Sequence, residues 1–460
     1  MTKKTENNVM EEIISLAKRR GFIFQGSEIY GGLAGTWDYG PLGVALKNNI
    51  KNLWWKRFVK DREDMYGMDA AILMNQNVWK ASGHVDGFSD PLVEDLKTKK
   101  RYRADHLLEA NGINPAGMKM PDLQKAIIEN KIKSPDGNAL GEVREFKMMF
   151  KTNVGAIEDD SSISYLRPET AQGMFVNFKN ILDTFHPRLP FGMAQIGKAF
   201  RNEIAPRDFT FRTREFEQME IEYFVAPENW ETVFEHFRKE VHAFNDDIGL
   251  TKEKVHELEV ASEDRAHYSK RTIDFEFDYP FGKKELYGLA YRTDFDLNAH
   301  STKSNVDLSY YDEDTKTRFV PHCIEPSFGV DRTVLAVLTD AYTEDSMAGE
   351  KRVFLKLAPS VAPIKVAVFP LLKNKPELVE KAREIYNQLR KIVPEIMFDE
   401  AGSIGKRYRR QDEIGTPLCV TVDFETLEQN AGVTVRDRDT GKQERVSIES
   451  LAEFISSKLK

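Results

Sequence analysis

Hydrophobic and polar positions follow two different periods along this chain, and each period predicts a type of element. Between Gln195 and Val225 the period is two, interrupted by a charged segment, which predicts two antiparallel strands joined by a loop. In the second strand Met219, Ile221 and Tyr223 form an apolar face that should meet a core. The opposite face is charged, so we expect this sheet to present a polar surface to a site.

The charged face of this strand pair collects arginines, an aromatic ring and carboxylates. Arginine forks suit phosphate oxygens, and an aromatic ring offers a stacking plane for a base. Spacing alone also fits a solvated strand face held together by salt bridges, and that alternative stays open at this point. The first strand contributes Gly197, Ala199, Arg201 and Glu203, and the second contributes Arg212, Arg214, Phe216, Gln218, Glu220 and Glu222.

Helical periodicity and short apolar runs outline the rest of the chain. Beyond an apparent linker at 357–363, alternating elements predict a separate α/β domain with a mixed, partly parallel sheet. Helices are predicted within 13–17, 46–58, 230–241, 330–338, 378–389 and 448–455. Strands are predicted at 67–74, 272–278, 285–291, 364–371, 396–398, 418–422 and 433–436, with one more that ends at residue 325.

Composition narrows the class of protein. The 460 residues, 41% hydrophobic and 30% charged, fit a soluble globular protein of several domains, and no apolar run approaches the ~18 residues of a membrane span. A net charge of −8 argues against a general nucleic-acid coat but allows a local basic patch. We expect Cys323 and Cys419 to be buried and unpaired, and the lack of CxxC and HExxH predicts a reducing compartment and no structural zinc.

Several stretches resemble the signature motifs of class II aminoacyl-tRNA synthetases. The FRNE of 200–203 and the RTREFEQME of 212–220 resemble the second motif, and CIEPSFGVDR at 323–332 resembles the third. The helix–strand unit of 43–74 resembles the first motif but lacks its usual proline. Ser327 replaces the first glycine of the third motif, and together with WKASGH at 79–84 and LRPETAQG at 166–173 this is most similar to the homodimeric, bacterial-type glycyl enzymes.

The resemblance implies an α+β fold in two parts. A class II catalytic domain, an antiparallel sheet flanked by helices, would span 1–358, with insertions at 106–150 and 226–270. A mixed α/β anticodon-binding domain would span 359–460. The insertion at 106–150 is predicted to be largely helical; contact with the tRNA acceptor end and an idle surface role are equally open.

The resemblance also implies an ATP site built around two catalytic arginines, Arg201 and Arg332. Arg201 would hold the α-phosphate, Glu203 would read the adenine amine and Phe216 would stack on the ring. Arg212 would reach the γ-phosphate, and Glu285 would help to hold Mg²⁺. The full ATP-binding set is Arg201, Asn202, Glu203, Phe211, Arg212, Phe216, Glu285, Leu286, Gly329 and Arg332.

A glycine site should adjoin the ATP site. By the resemblance, Glu169, Glu220 and Glu325 would surround the ammonium, and Ser327 would close the space beside the α-carbon. For Glu169 alone, a cap at a helix N-terminus explains the residue as well. The implied glycine-binding set is Arg103, Glu169, Phe216, Gln218, Glu220, Glu325, Ser327 and Gly329.

The C-terminal segment GSIGKRYRRQDEIGTP, at 402–417, resembles the anticodon-binding domain of several class II enzymes. A solvated helix face is the default explanation for its basic run, yet RNA backbone contacts need this kind of charge. The candidate tRNA-binding residues are Lys406, Arg407, Arg409 and Arg410.

The expected activity is ATP-dependent attachment of glycine to tRNA(Gly) through a glycyl-adenylate, in a cytoplasmic homodimer that uses Mg²⁺ and has no membrane partner. The alternatives are another class II synthetase, such as one for threonine, proline or serine, and a non-catalytic accessory protein on the same scaffold. Which tRNA bases are read stays open, as does whether the dimer forms through 43–74.

Overall fold

The structure, a computed structural model, describes residues 6–115, 117–157, 159–347, 349–428 and 431–459. Within these ranges, no helix has the length and apolar content that crossing a membrane requires. The helices are α1 (Glu6–Arg19), α2 (Pro41–Trp55), α3 (Gln76–Ala81), α4 (His84–Gly87), α5 (Ala104–Ala110), α6 (Met120–Glu129), α7 (Ala171–Phe175), α8 (Phe178–Phe185), α9 (Trp230–Ile248), α10 (Phe295–Ser304), α11 (Val330–Ala341), α12 (Pro376–Leu389), α13 (Ile404–Ile414), α14 (Phe424–Glu428) and α15 (Leu451–Lys458).

The strands follow the same chain order. They are β1 (Ile23–Gln25), β2 (Trp37–Tyr39), β3 (Met65–Gly67), β4 (Ser89–Glu94), β5 (Arg101–Arg103), β6 (Arg144–Lys147), β7 (Lys151–Asn153), β8 (Ile163–Tyr165), β9 (Phe191–Phe200), β10 (Glu215–Val225), β11 (Val255–Glu259), β12 (Arg271–Tyr279), β13 (Gly282–Thr293), β14 (Tyr310–Asp312), β15 (Thr317–Phe319), β16 (His322–Gly329), β17 (Tyr342–Met347), β18 (Glu350–Leu355), β19 (Val366–Pro370), β20 (Ile396–Phe398), β21 (Leu418–Val422), β22 (Val433–Asp437) and β23 (Gln443–Val446).

The central sheet has the strand order β11-β12-β13-β16-β10-β9-β3 and is antiparallel except where β3 meets β9. The predicted strand pair is confirmed as β9 and β10, with Phe216 opposite Ala199 and Gln218 opposite Gly197. Small residues on β9 thus lie across from larger side chains on β10. Alternation along β10 places Phe216, Gln218 and Glu220 on one face of the sheet.

The other face of the sheet is covered by helices α2, α9 and α11, as the hydrophobic pattern predicts. Met219 and Ile221 are fully buried there and Tyr223 is 3% exposed. Each fully buried large apolar side chain contributes about 2–3 kcal/mol to folding. The helices contribute apolar side chains of matching spacing to the same core: Leu46, Ile50, Trp54, Phe234, Phe237, Val241, Val334, Val337 and Leu338.

Three predictions near this sheet are wrong in detail. The strand predicted at 67–74 ends at Gly67, because the chain then leaves the sheet and the carbonyl of Ala70 accepts a bond from Arg167 Nη1 at 2.7 Å. Strand β16 continues past residue 325 to Gly329, since Pro326 pairs opposite Leu289 without breaking the ladder.

The third correction concerns the two arginines placed on the second strand. Arg212 and Arg214 precede β10, which begins at Glu215. Arg214 turns away from the polar face and donates to the carbonyls of Glu203, at 3.1 Å and 3.2 Å, and Ala34, at 2.9 Å. It therefore braces the loop between β9 and β10.

The segment at 106–150 is less helical than predicted. It holds part of α5, all of α6 and the strand β6, which joins β4 and β5 in a small sheet with the order β5-β4-β6. A separate apolar cluster, including Val93, Leu108 and Ile127, stabilises this unit. Its sheet brings Asp90 and Arg103 to the polar face of the central sheet.

The C-terminal part is the predicted mixed α/β unit. Its sheet has the order β20-β19-β21-β22-β23, parallel among the first three strands and antiparallel in the last two pairings. Strand β23 was not predicted, because its residues Gln443–Val446 are mostly polar and exposed. Cys419, on β21, and Cys323, on β16, are buried as predicted, and their thiols are free.

A buried charge cluster joins the C-terminal part to the hairpin β17–β18. Asp412 of α13 accepts two bonds from Arg436, at 2.7 Å and 3.0 Å, and one from Arg352 at 3.4 Å. Arg438 donates to the carbonyls of Leu357 and Gly415, both at 2.8 Å. The chain segment between the two parts is thus held by fixed polar contacts.

Replacing Asp412 by alanine should lower the free energy of unfolding by about 3–5 kcal/mol, because it leaves two buried arginines without their shared counter-charge. Urea unfolding followed by circular dichroism measures the change. Glu384→Ala, at an exposed position of α12, is the control and should shift stability by less than about 0.5 kcal/mol. Equal stability of the two variants would contradict the assignment of Asp412 as the shared counter-charge of the two arginines.

Candidate active site

A cavity of about 480 Å³ opens on the polar face of the central sheet. Strands β10, β13 and β16 supply most of its floor, and the small β4–β6 sheet and the loop between β11 and β12 supply walls. Two groups of opposite charge line it. The first, called here the arginine wall, is Arg201, Arg212 and Arg332. The second, called the acidic niche, is Glu169, Glu220, Glu325 and Ser327.

In the arginine wall, Arg201 is held just past the end of β9. Its Nε donates to the carbonyl of Pro168 at 3.0 Å, and its guanidinium lies 5.3 Å from the ring centroid of Phe216 and 5.5 Å from that of Phe88. The remaining N–H groups of the fork point to no protein acceptor among the described residues. Arg201 and Phe216, placed together by sequence, are therefore together in the structure.

Arg332 lies in the first turn of α11 and bonds to β13. Its Nη1 lies 3.0 Å from Glu285 Oε2 and 3.1 Å from the Glu285 carbonyl, and the guanidinium is 4.4 Å from the Phe211 ring. Arg212 Nη1 lies 3.6 Å from Glu203 Oε2. Burial, together with the positive charges of Arg103, Arg207 and Arg332, lowers the pKa of Arg212 from its ordinary value. This excess of positive charge favours a polyanionic ligand.

In the acidic niche, Glu220 is 2% exposed and is surrounded by donors. Thr170, at the start of α7, donates from its backbone N–H at 3.2 Å and from Oγ1 at 2.5 Å. Ser327 Oγ donates at 2.8 Å and Gln218 Nε2 at 3.3 Å. Burial and then the charge of Glu169 raise the pKa of Glu220, so a cation near both carboxylates would relieve their repulsion.

Glu169 is bound from two directions. Gln172 Nε2 donates to it at 3.0 Å, and His84 Nε2 lies 3.3 Å from its other oxygen. Burial acts to raise the pKa of Glu169, but His84, Arg292 and the bond from Gln172 together outweigh it and hold the pKa well below its ordinary value. Glu169 precedes the helix α7 rather than capping it, and its carboxylate faces the cavity. His84 lies in the WKASGH stretch but was not among the residues predicted for the site.

Glu325 is paired with Arg292, a residue that the sequence analysis missed. Arg292 Nη1 donates to Glu325 at 2.7 Å, and its other edge makes two 2.8 Å bonds to Asp296. The Arg292 side chain is 1% exposed and its guanidinium lies 3.8 Å from the ring centroid of Tyr268. An arginine at the end of the apolar run of β13 was the available signal, because a buried position of this kind needs a counter-charge.

The remaining predicted residues occupy the cavity margins. Arg103 lines the wall but is already paired with Asp90, at 2.8 Å, and Asp105, at 2.6 Å. The backbone N–H of Asn202 donates to the Met148 carbonyl at 2.7 Å. Phe211, Leu286, Gly329 and Gln218 all line the cavity.

Two carboxylates of the cavity lining, Asp274 on β12 and Glu285 on β13, form a candidate cation site. The Glu285 side chain is 49% exposed. Burial, followed by the charges of Glu285 and Glu276, raises the pKa of Asp274 to about 7. A hard divalent cation takes carboxylate oxygens as ligands, and here it would relieve the repulsion between the two carboxylates. Asp274 was absent from the sequence-based set.

The candidate tRNA-binding run lies on α13, where its members differ in exposure. Arg407 is 1% exposed and donates to the carbonyls of Pro370 and Gly402. Arg410 is paired with Asp399 and Arg409 with Glu350, whereas Lys406 is exposed. The spacing could not reveal this, since Arg407 fills the interior side of the helix.

Comparisons with known proteins show the family to which the chain belongs. Residues 150–341 match the family described as "tRNA synthetase class II core domain (G, H, P, S and T)", and residues 365–458 match "Anticodon binding domain". The glycine–tRNA ligase of Caldanaerobacter subterraneus subsp. tengcongensis is 50% identical over 459 residues, 98% of either chain. Those of Clostridium tetani, at 50% over 465 residues, and Thermobifida fusca, at 49% over 469, each align over 99% of both chains. The chain therefore belongs to the glycine–tRNA ligase family of class II tRNA synthetases.

Proposed function

We propose that this chain uses ATP to join glycine to tRNA(Gly) through a glycyl-adenylate. The observation that carries the proposal is the single cavity in which an arginine wall meets an acidic niche, on the fold of this family. Such a cavity suits two substrates, a nucleoside triphosphate and a small ammonium carboxylate. Another class II synthetase would require a different niche for its amino acid. A non-catalytic accessory protein would be expected to lack residues of the arginine wall.

In the first step, a carboxylate oxygen of glycine attacks the α-phosphorus of ATP, and the bond to pyrophosphate breaks. Arg201 would hold the α-phosphate and the glycine carboxylate, Phe216 would stack on adenine and Glu203 would accept from its amine. Arg212 and Arg332 would neutralise the outer phosphates. This step needs alignment and charge stabilisation, and it requires no protein acid or base.

The acidic niche would grip the glycine ammonium. Glu169, Glu220 and Glu325 converge there, and Ser327 bonds to Glu220 at 2.8 Å, so its side chain is fixed beside the carboxylates. Contact with one additional methylene is worth only ~1–3 kcal/mol, so selection of glycine depends on steric exclusion of larger side chains. In the second step, the terminal ribose hydroxyl of tRNA attacks the glycyl carbonyl and AMP leaves.

Glu285, with Asp274, would hold a magnesium ion beside the ATP site. When bound, the cation neutralises phosphate charge and orients the pyrophosphate leaving group. Without the cation, the ion pair of Glu285 with Arg332 keeps both side chains at the cavity edge.

ATP–pyrophosphate exchange with purified protein tests the proposed function. Exchange that depends on glycine, and not on threonine, proline, serine or alanine, is the expected result. Exchange with a different amino acid would favour another class II synthetase, and no exchange with any of the twenty would favour the accessory protein.

Glu285→Gln should raise the Mg²⁺ concentration that gives half-maximal exchange by about tenfold, because an amide oxygen is a weaker ligand for a hard cation than a carboxylate. A magnesium titration at saturating ATP and glycine measures this. Asp278→Asn, on the neighbouring strand and paired with His256, is the matched control and should leave the titration unchanged. An unaltered midpoint in Glu285→Gln would remove that residue from the metal site.

We also propose the larger organisation of the molecule. A catalytic domain at 1–358, with inserted segments at 106–150 and 226–270, precedes an anticodon-binding domain at 359–460, on which Lys406, Arg409 and Arg410 contact tRNA. A homodimer is supported by the exposed apolar side chains Ile29, Tyr30 and Leu33. Its setting is the cytoplasm, where buried free thiols such as Cys323 stay reduced.

A further inference from the structure

A fourth glutamate, Glu222, lies beside the acidic niche. It follows Glu220 by two positions on β10, so both side chains are on the same face of the sheet. Glu222 is fully buried, and oxygen atoms of Glu220, Glu222 and Glu325 all lie within 4.8 Å of one another. Glu222 does not line the cavity itself, and nothing in the proposed reaction uses it.

The hydrogen-bond donors around these glutamates are distributed unequally. Glu220 has four donors, Glu325 has the guanidinium of Arg292, and Glu169 has an amide and an imidazole, as described above. Glu222 has the thiol of Cys323, whose Sγ lies 3.0 Å from Oε2. The other oxygen, Oε1, has no hydrogen-bond partner among the described residues.

A thiol is a weak donor and cannot compensate a buried negative charge. The charge of Arg292 acts on Glu222, but its guanidinium bonds go to Asp296 and Glu325. Burial and then the charge of Glu325 raise the pKa of Glu222 well above its ordinary value, with Arg292 opposing the shift and Glu220 adding to it. The groups that face Glu222 from β10 and β16 therefore favour the uncharged carboxyl.

We propose that Glu222 carries a proton and acts as a positioning residue, with its carboxyl group as a hydrogen-bond donor beside the carboxylates of Glu220 and Glu325. A proton on Glu222 lowers the mutual repulsion of the clustered acids without adding charge, and the ammonium of the substrate meets the carboxyl groups of Glu169, Glu220 and Glu325. This inference rests on the proposed function of the acidic niche. It predicts that glycine binding depends on the shape and on the proton of the Glu222 side chain, and does not depend on a negative charge there.

Three variants separate these properties in glycine-dependent ATP–pyrophosphate exchange. Glu222→Gln keeps the shape and a donor N–H, and the KM for glycine should stay within about threefold of the parent chain. Glu222→Met keeps a similar length without a donor, and the KM for glycine should rise by about tenfold or more. In both, kcat and the KM for ATP should change less than twofold. Glu220→Gln, at a true ligand of the ammonium, should raise the KM for glycine far more than Glu222→Gln.

Two results would overturn the proposal. A KM for glycine in Glu222→Gln that rises as far as in Glu220→Gln would make Glu222 a charged ligand. Equal behaviour of Glu222→Met and Glu222→Gln would make the residue a space filler. Thermal unfolding of each variant identifies a folding failure, in which case infrared difference spectroscopy on the parent chain decides.

The infrared measurement is independent of activity. At neutral pH the carbonyl band of protonated carboxyl groups should be stronger in the parent chain than in Glu222→Gln; Asp274, whose pKa is raised to about 7, contributes to this band in both. Identical bands in the two proteins contradict the inference whatever the kinetics show. A parent chain that shows the stronger band but no glycine-dependent exchange would instead contradict the proposed function, so the two failures are distinguishable.

Discussion

Replacing Arg201 by alanine should lower kcat/KM for glycine-dependent ATP–pyrophosphate exchange by about 10³-fold, one of the two largest effects expected in this molecule. The guanidinium is fixed by Pro168 on one edge and lies against Phe216, so its free N–H groups are aimed into the cavity. Removing a preorganised donor from a developing negative charge typically costs 10²- to 10³-fold, and a full positive charge is lost as well. Most of the loss should appear in kcat.

Steady-state exchange with varied ATP and glycine measures this prediction. Arg201→Lys should recover only part of the activity, because an ammonium cannot form a planar fork to a phosphate. Arg188→Ala, which removes an arginine that is 81% exposed, is the matched control and should leave the rate unchanged. Full activity in Arg201→Ala would exclude it from the phosphate site.

Glu220→Gln should raise the KM for glycine by about 100-fold and leave the KM for ATP nearly unchanged. The carboxylate is 2% exposed, and its amide replacement removes a charge from the contact with the ammonium. Thr170 and Ser327 donate to different oxygens of the carboxylate, so the amide nitrogen would face a donor in either orientation. Both effects weaken the binding of glycine.

Exchange with varied glycine at saturating ATP gives the KM directly. Glu215→Gln is the control on the same strand, since Glu215 is exposed and paired with Lys198. Its kinetic constants should match those of the parent chain. An unaltered glycine requirement in Glu220→Gln would remove this residue from the niche and weaken the case for glycine.

The sequence was most informative where local periodicity and tertiary structure agree. The hydrophobic and polar residues of β9 and β10 alternate over most of each strand, so their faces could be predicted, and Met219 and Ile221 lie in the core as expected. Prediction was poorest where tertiary contacts override local signals. Strand β16 passes through Pro326 because its neighbours complete the ladder, and the chain after Gly67 leaves the sheet to bond with Arg167.

The site shows the same division. Arg201, Phe216, Glu220 and Arg332 could be placed because motif spacing fixes their faces. Arg292 and His84 could not, because each acts on a partner that is distant in sequence. The face of Glu222 could be predicted, but its contact with Cys323 of another strand could not. Arg292 is 33 residues from Glu325, and His84 reaches Glu169 only through the fold. Spacing also cannot distinguish an exposed basic residue from a buried one, as with Arg407.

The buried cluster around Asp412 limits how the molecule can be divided. A chain that stopped at residue 358 would expose Arg352 without Asp412 or the carbonyl of Arg438, both of which now satisfy it. It would also uncover Leu357, against which Gly415 is packed so closely that an added Cβ would lie 2.6 Å from its side chain. We therefore expect residues 1–358 to be less stable when they are cut from the C-terminal part, and a shortened protein would need new partners for Arg352 and Leu357.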